Sequence, residues 1–279
     1  MNSDSLNGWH AHATSKIPTS QLPTLKVENL TAYQGSYLAL REVSFELPAG
    51  TDTAVVGPNG AGKSTLAQAI LGLIPRKSGR IEMFGRPLER LGHLCHQIGY
   101  VPQNFIFDRS FPISVWELVG LGWVKEINPQ FKIENPKFKW PWQPEPEKSA
   151  AIAGALQRVG AYQLRHQAIG TLSGGQLKRV LLAYCLVMPR RLLVLDEAFA
   201  GVDAQGEADF YTLLNELKRE YNWTVLQVSH DLDMVSRHCD RVICLNQTVV
   251  CTGKPEIALA PQNLLATYGP AFSRYRHTH

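Results

Sequence analysis

The stretch Gly57-Pro58-Asn59-Gly60-Ala61-Gly62-Lys63-Ser64-Thr65 lies between an apolar run at residues 54–56 and the helical pattern of residues 66–71. A chain that wraps a polyphosphate needs backbone N–H groups turned inward and residues free to take positive φ, and Gly57, Gly60 and Gly62 supply that freedom. The helix that starts near Lys63 aims its unpaired amides and the positive end of its dipole at the same anion. Lys63 adds a full charge near the β- and γ-phosphates, and the Ser64 hydroxyl suits a Mg²⁺ ion. An ordinary strand-to-helix turn would account for the glycines but not for Lys-Ser at their end. The stretch therefore fixes a strand, a tight loop and a helix in that order, and with them an α/β fold.

With 279 residues, 44% hydrophobic and 19% charged, the chain is long enough for one large α/β domain, with or without a subdomain. No apolar run approaches the roughly 20 residues that cross a bilayer, and the N-terminus lacks a secretory core. A cytosolic protein is expected unless a partner holds it elsewhere. The net charge of +4, without a dense basic block, disfavours nucleic acid as a partner. Cys95, Cys185, Cys239, Cys244 and Cys251 form no C-x-x-C pair and are expected to be reduced, mostly packed thiols.

Residues 1–24 read as a tail, in which His10 and His12 fit solvated side chains better than a preorganised metal site. Short alternating segments follow at 25–30 and 43–47 around a turn at Gln34-Gly35-Ser36, and an antiparallel unit is expected there. Tyr33 lies between these strands. Ser78-Gly79 is expected to turn a hairpin, and His93-Leu94-Cys95-His96 to sit on a helix without further ligands. Ser114 is a plausible N-cap for a helix through Val115, Leu118 and Val119. Residues 125–148, with five prolines plus Trp140 and Trp142, are expected to form a surface excursion available to a partner. Helices are expected at 149–159 and after Leu172-Ser173-Gly174-Gly175-Gln176. The fully apolar Leu192-Leu193-Val194-Leu195 suits a strand buried on both faces and delivers Asp196 and Glu197 at its end. A helix at 207–221, a strand at 224–228, Ser229-His230, another helix and the strand 241–245 continue the β/α alternation. Ligands bind at the carboxyl ends of such strands.

In this order the motifs closely resemble the ATP-binding subunits of ABC transporters, over about residues 25–260. The phosphate loop, Gln103, the signature Leu172 to Gln176, the acidic strand, the loop at Asp203 and His230 all fall in place, and LSGGQ is the specific one. The resemblance implies an ABC-type P-loop ATPase with a RecA-like core, an antiparallel β subdomain and an α-helical signature subdomain at about 104–187, followed by a C-terminal tail at 261–279. It implies ATP and Mg²⁺, the ion held by Ser64, Gln103 and Asp196. Glu197 would polarise the attacking water, Gln103 would sense Mg²⁺ and water, and His230 would contact the γ-phosphate. Tyr33 would stack on adenine. Ser173, Gly174, Gly175 and Gln176 would cradle the γ-phosphate bound to a second copy, giving an ATP-sandwich homodimer. Ala198 departs from the proline usual after the acidic pair and is expected to loosen the backbone without loss of chemistry.

Phe111-Pro112-Ile113-Ser114-Val115 resembles the docking region of ATPases of zinc and manganese importers, and the C-terminal Tyr268-Gly269-Pro270 and residues 273–279, including His277 and His279, resemble that group's tails. The resemblance implies a polytopic membrane permease docked near Phe111 and Val115, an extracytoplasmic metal-binding protein acting indirectly, and a peripheral place on the cytoplasmic face of the membrane. Zinc is favoured over manganese, with iron chelates behind. A non-transport ABC ATPase is the competing class. It lacks support because no long coiled coil separates the phosphate loop from the signature and only one cassette is present.

Overall fold

The computed structural model describes residues 22–108, 110–124, 146–198 and 204–270, without the side chains of 204, 205 and 207. Expectations for the N-terminal tail with His10 and His12, for Trp140 and Trp142, for the Asp203 loop and for His277 and His279 lie outside these residues.

The chain opens with β1 (Leu25–Gln34) and β2 (Tyr37–Leu47), then β3 (Asp52–Val56), the phosphate loop and α1 (Lys63–Ile70). β4 (Arg76–Met83) and the short β5 (Arg86–Pro87) join β1 and β2 in an antiparallel sheet of order β2-β1-β4-β5. After β6 (Ile98–Val101) come α2 (Val115–Gly120), α3 (Pro146–Arg158) and α4 (Gly174–Leu186), all from the helical part of the chain. β7 (Leu192–Asp196), α5 (Ala204–Tyr221), β8 (Thr224–Val228), α6 (Leu232–His238) and β9 (Arg241–Asn246) restore the alternation. β10 (Thr248–Gly253), α7 (Pro255–Ala258) and α8 (Pro261–Tyr268) close it.

The second sheet has the order β10-β9-β3-β8-β7-β6, parallel except for β10. Its middle strands β3, β8 and β7 are buried at every residue, as strands covered on both faces must be. The period of two along β7 divides the interior. Leu193 and Leu195 join α2, α3 and α4 in one core, while Leu192 and Val194 join α1 and the antiparallel sheet in another.

Several expectations change. Ser78 and Gly79 do not turn a hairpin, because the turn comes at Phe84 and Gly85 and Gly79 sits inside β4. There the pairing with β1 shifts register between Glu28 and Thr31, and a Cβ on Gly79 would lie 2.6 Å from Leu30 Cα, so glycine marks a bulge and a close backbone approach. Residues 146–148, expected within the excursion, instead open α3, with Pro146 at a position where its missing N–H costs nothing, and the rest of that stretch lies outside the described residues. His93 and His96 lie in a 3₁₀-helix at Gly92–Gln97. The cysteines are not all thiols: Cys244 and Cys251 are joined by a disulfide. They are direct cross-strand partners on β9 and β10 with Cα atoms 4.9 Å apart, a proximity that arises from strand pairing and that a search for C-x-x-C does not see. Cys95 is exposed, and Cys185 and Cys239 are buried free thiols.

Candidate functional site

Four neighbouring parallel strands end on the same edge of the large sheet. β3 runs into the phosphate loop, β8 into His230, β7 into Glu197 and β6 into Gln103. Adjacency in the sheet, and not in the sequence, brings these residues to one cleft of about 620 Å³, a size suited to a nucleotide. Asn59, Gly60, Gly62, Lys63, Ser64 and Thr65 form its floor, while Gln103, Glu197 and His230 stand around it. Pro58 and Ala61 belong to the same loop, in which Ala61 N donates to the Pro58 carbonyl at 3.1 Å.

Gly62 caps α1 in the left-handed region, with φ of 94°, and a Cβ there would lie 2.4 Å from the Ala39 carbonyl oxygen. Only glycine meets both conditions. Lys63 is buried at the start of α1, and its Nζ donates to the carbonyls of Gly57 (2.9 Å) and Pro58 (3.0 Å). Burial lowers the pKa of its ammonium, and the charges of Glu197 and Asp196 act against that shift. The ammonium therefore lies folded along the loop that would wrap a phosphate.

Ser64 Oγ donates to Asp196 Oδ1 at 3.0 Å. Asp196 is buried, which raises its pKa above the ordinary carboxylate range. The Ser64 bond and the charges of Lys178 and Lys63 oppose that rise, and the Glu197 charge adds to it. A desolvated carboxylate beside a hydroxyl is a hard-oxygen donor pair short of positive charge, which fits Mg²⁺. Glu197 takes φ of 45°, uncommon for a residue with a Cβ and typical of strained functional positions. That conformation turns its carboxylate between two partners. Gln103 Nε2 donates to Oε2, and His230 Nε2 lies 2.5 Å from Oε1. Ala198, which follows, is buried.

Not every expected residue reaches the cleft. Tyr33 is partly exposed beneath the Lys77 ammonium, 5.4 Å from its ring centroid, whereas Gln34 and Tyr37 from the same hairpin line the cleft. The Tyr37 hydroxyl accepts from Gln247 Nε2 at 2.6 Å. Ser173, Gly174, Gly175 and Gln176 are not part of the lining either. They form a capping box in which Ser173 Oγ accepts from Gln176 N (3.3 Å) and Gln176 Oε1 accepts from Ser173 N (2.9 Å). Tyr37, just beyond the Gly35-Ser36 turn, and Lys178, which continues the signature on α4, carry no local sequence mark of their place at the site.

A mononucleotide-sized cleft at the carboxyl edge of a parallel sheet, floored by a glycine loop and flanked by paired acids, defines a P-loop ATPase. The chain belongs to the ABC transporter family, whose sequence profile matches residues 40–200. It is 38% identical over 264 residues to the zinc import ATP-binding protein ZnuC of Photorhabdus laumondii, covering 93% of this chain and 90% of that one. It is also 38% identical over 255 residues to the chelated iron transport system membrane protein YfeB of Yersinia pestis, covering 90% and 81%. Among solved structures it is similar to cbiO1 of Clostridium perfringens, part of the ABC transporter complex cbiONQ. The TM-score there is 0.69 at 33% identity, over 88% of this chain and 94% of that one. ATP binding and ATP hydrolysis follow from membership of the family.

Proposed function

We propose that this chain is the ATP-hydrolysing subunit that powers import of a divalent metal ion, zinc first and manganese next, through a separate membrane permease. The observation that carries the paired-ATPase reading is the cleft itself, which gathers Gln103, Glu197 and His230 over the phosphate loop yet lacks the signature that lies elsewhere on the same chain. The likeness to importer subunits carries the transport reading. Two copies arranged head to tail supply what one lacks, with Ser173 and the amides of Gly174 and Gly175 closing over the γ-phosphate held by the other copy's loop.

Within each cleft the loop amides and Lys63 bind the β- and γ-phosphates, and the base extends past Gln34 to stack on Tyr33, outside the cleft's lining. Ser64, Asp196 and Gln103 would hold Mg²⁺, which would supply charge neutralisation to the phosphates when bound. Glu197 accepts a proton from the attacking water and lowers its cost of attack. His230 steadies that carboxylate and contacts the γ-phosphate. Gln103 reports the state of the cleft to the helical part of the chain, where the permease docks along the stretch from Phe111 to Val115, with Phe111 exposed and Val115 buried beneath the surface. Phe111 and Ile106 expose large apolar surface in this region, as a docking site requires. No helix among the described residues is long and apolar enough to cross a membrane. In this reading a separate permease provides the path and this subunit sits at the cytoplasmic face.

The relative named for zinc favours a metal cargo, and the relative named for chelated iron, at the same identity, keeps an iron chelate as the second reading. Uptake of radiolabelled zinc, manganese and a ferric chelate by cells lacking this chain tests the proposal directly. Loss of zinc uptake supports it, loss of chelate uptake alone selects the second reading, and no loss of any of the three sinks the import role. Failure to co-purify with a polytopic membrane protein would instead favour a soluble ABC ATPase.

A further inference from the structure

Lys178 lies near the start of α4, two residues past Gln176, and is only 7% exposed. Long cationic side chains usually extend their charged end to water, and burying an ammonium is costly unless its donors are met. Here the side chain turns inward. Its Nζ donates to the carbonyl of Pro102 at 3.1 Å and to that of Gln103 at 2.8 Å. These two residues directly follow β6 and carry the Gln103 side chain to Glu197. One cation thus joins the helix that opens at the signature to the backbone that bears a cleft residue. Burial lowers the pKa of Lys178, and the charges of Asp196 and Glu197 act in the opposite sense, as expected of a cation behind the acidic edge.

We infer that Lys178 is a positioning residue for ATP hydrolysis, tying the backbone of Pro102 and Gln103 to the signature helix so that movement of that helix resets Gln103 against Glu197. The inference rests on the reading of Glu197 as the carboxylate that activates water. What the role needs at position 178 is a donor that reaches two carbonyls. Glutamine can meet it in part, and methionine, of similar length, cannot.

The test uses the purified full-length chain with ATP and Mg²⁺. Lys178→Met is expected to lower kcat about tenfold while leaving the KM for ATP within about twofold, and Lys178→Gln to restore most of the loss, in line with removal of a charge-assisted hydrogen bond. Because methionine leaves two partly buried carbonyls without their donor and can weaken folding, the same substitution is also made in a Gln103→Ala background. With the positioned side chain gone, Lys178→Met should cost no further kcat there. Wild-type kcat in Lys178→Met, a KM that rises as much as kcat falls, or an undiminished loss in the Gln103→Ala background would each overturn the inference. Glu197→Gln is assayed beside them. If it turns over at the wild-type rate, the reading of the cleft falls and this inference with it; if it is inactive while Lys178→Met is unchanged, the inference alone falls.

Discussion

Ser64 and Asp196 are 132 residues apart in sequence, yet the Ser64 hydroxyl donates to the Asp196 carboxylate at 3.0 Å. The phosphate loop and the end of β7 are therefore paired through the two oxygens best placed to share a cation. In the proposed site, removing the hydroxyl takes away one Mg²⁺ ligand and leaves the loop amides in place. Ser64→Ala is expected to raise the Mg²⁺ concentration needed for half-maximal ATPase activity by about tenfold, as loss of a single ligand typically does. Binding of ATP in EDTA should change little. Metal titrations of activity, with ATP binding followed separately, check both halves.

Glu197 is held by Gln103 on one oxygen and by His230 on the other, so its carboxylate is oriented before substrate arrives. Glu197→Gln keeps the shape and removes the proposed base, and turnover should fall by about a hundredfold or more, within the range of general-base catalysis. ATP binding should survive. On gel filtration with ATP and Mg²⁺ the variant should run as a dimer, and a monomer under those conditions would count against the shared-site reading.

The motifs were legible because each is local. Lys63 and Ser64 are adjacent in the loop, and the four apolar residues before Asp196 announce a strand buried on both faces. The convergence of Gln103, Glu197 and His230 was legible only through family resemblance, since it comes from the order β3-β8-β7-β6, which no window of sequence contains. What escaped was set by pairing between distant segments. The Lys178 contact bridges 75 residues, and the Cys244 to Cys251 register depends on how β10 folds back. Gly79 read as a turn because glycine serves bulges and turns by the same freedom at φ, and only the neighbouring strand distinguishes them.

Two tyrosines of the β1–β2 hairpin are candidates to carry the base. Tyr33→Ala is expected to weaken ATP binding about fivefold to tenfold, the worth of one aromatic stack, with recovery in Tyr33→Phe. Fluorescence titration with a labelled ATP analogue measures it. Should Tyr37→Ala weaken binding while Tyr33→Ala does not, the stacking role passes to Tyr37, the one that lines the cleft.

Asp52, at the foot of β3, is 1% exposed, and burial raises its pKa to about 6 despite the Lys218 ammonium 3.8 Å away and a 2.8 Å bond from Gln227 Nε2. A carboxyl with a raised pKa binds its proton more tightly in the folded chain than in the unfolded one. It therefore favours folding at low pH, and that contribution is lost as pH rises from about 4 to about 6, amounting to ~3 kcal/mol at most. Urea melts over this window should show the wild type losing stability relative to Asp52→Asn as pH increases. Parallel pH profiles for the two proteins would sink the assignment.

β7 places Leu193 and Leu195 in the core of the signature helices and Leu192 and Val194 in the core beneath the antiparallel sheet. A strand shared in this way works as a hinge pin between two layers, since neither can loosen without uncovering alternate residues of the same five. If the chain were divided into two complementing fragments, the piece lacking this strand would have an unfinished interior on both sides and could be restored only by its other half.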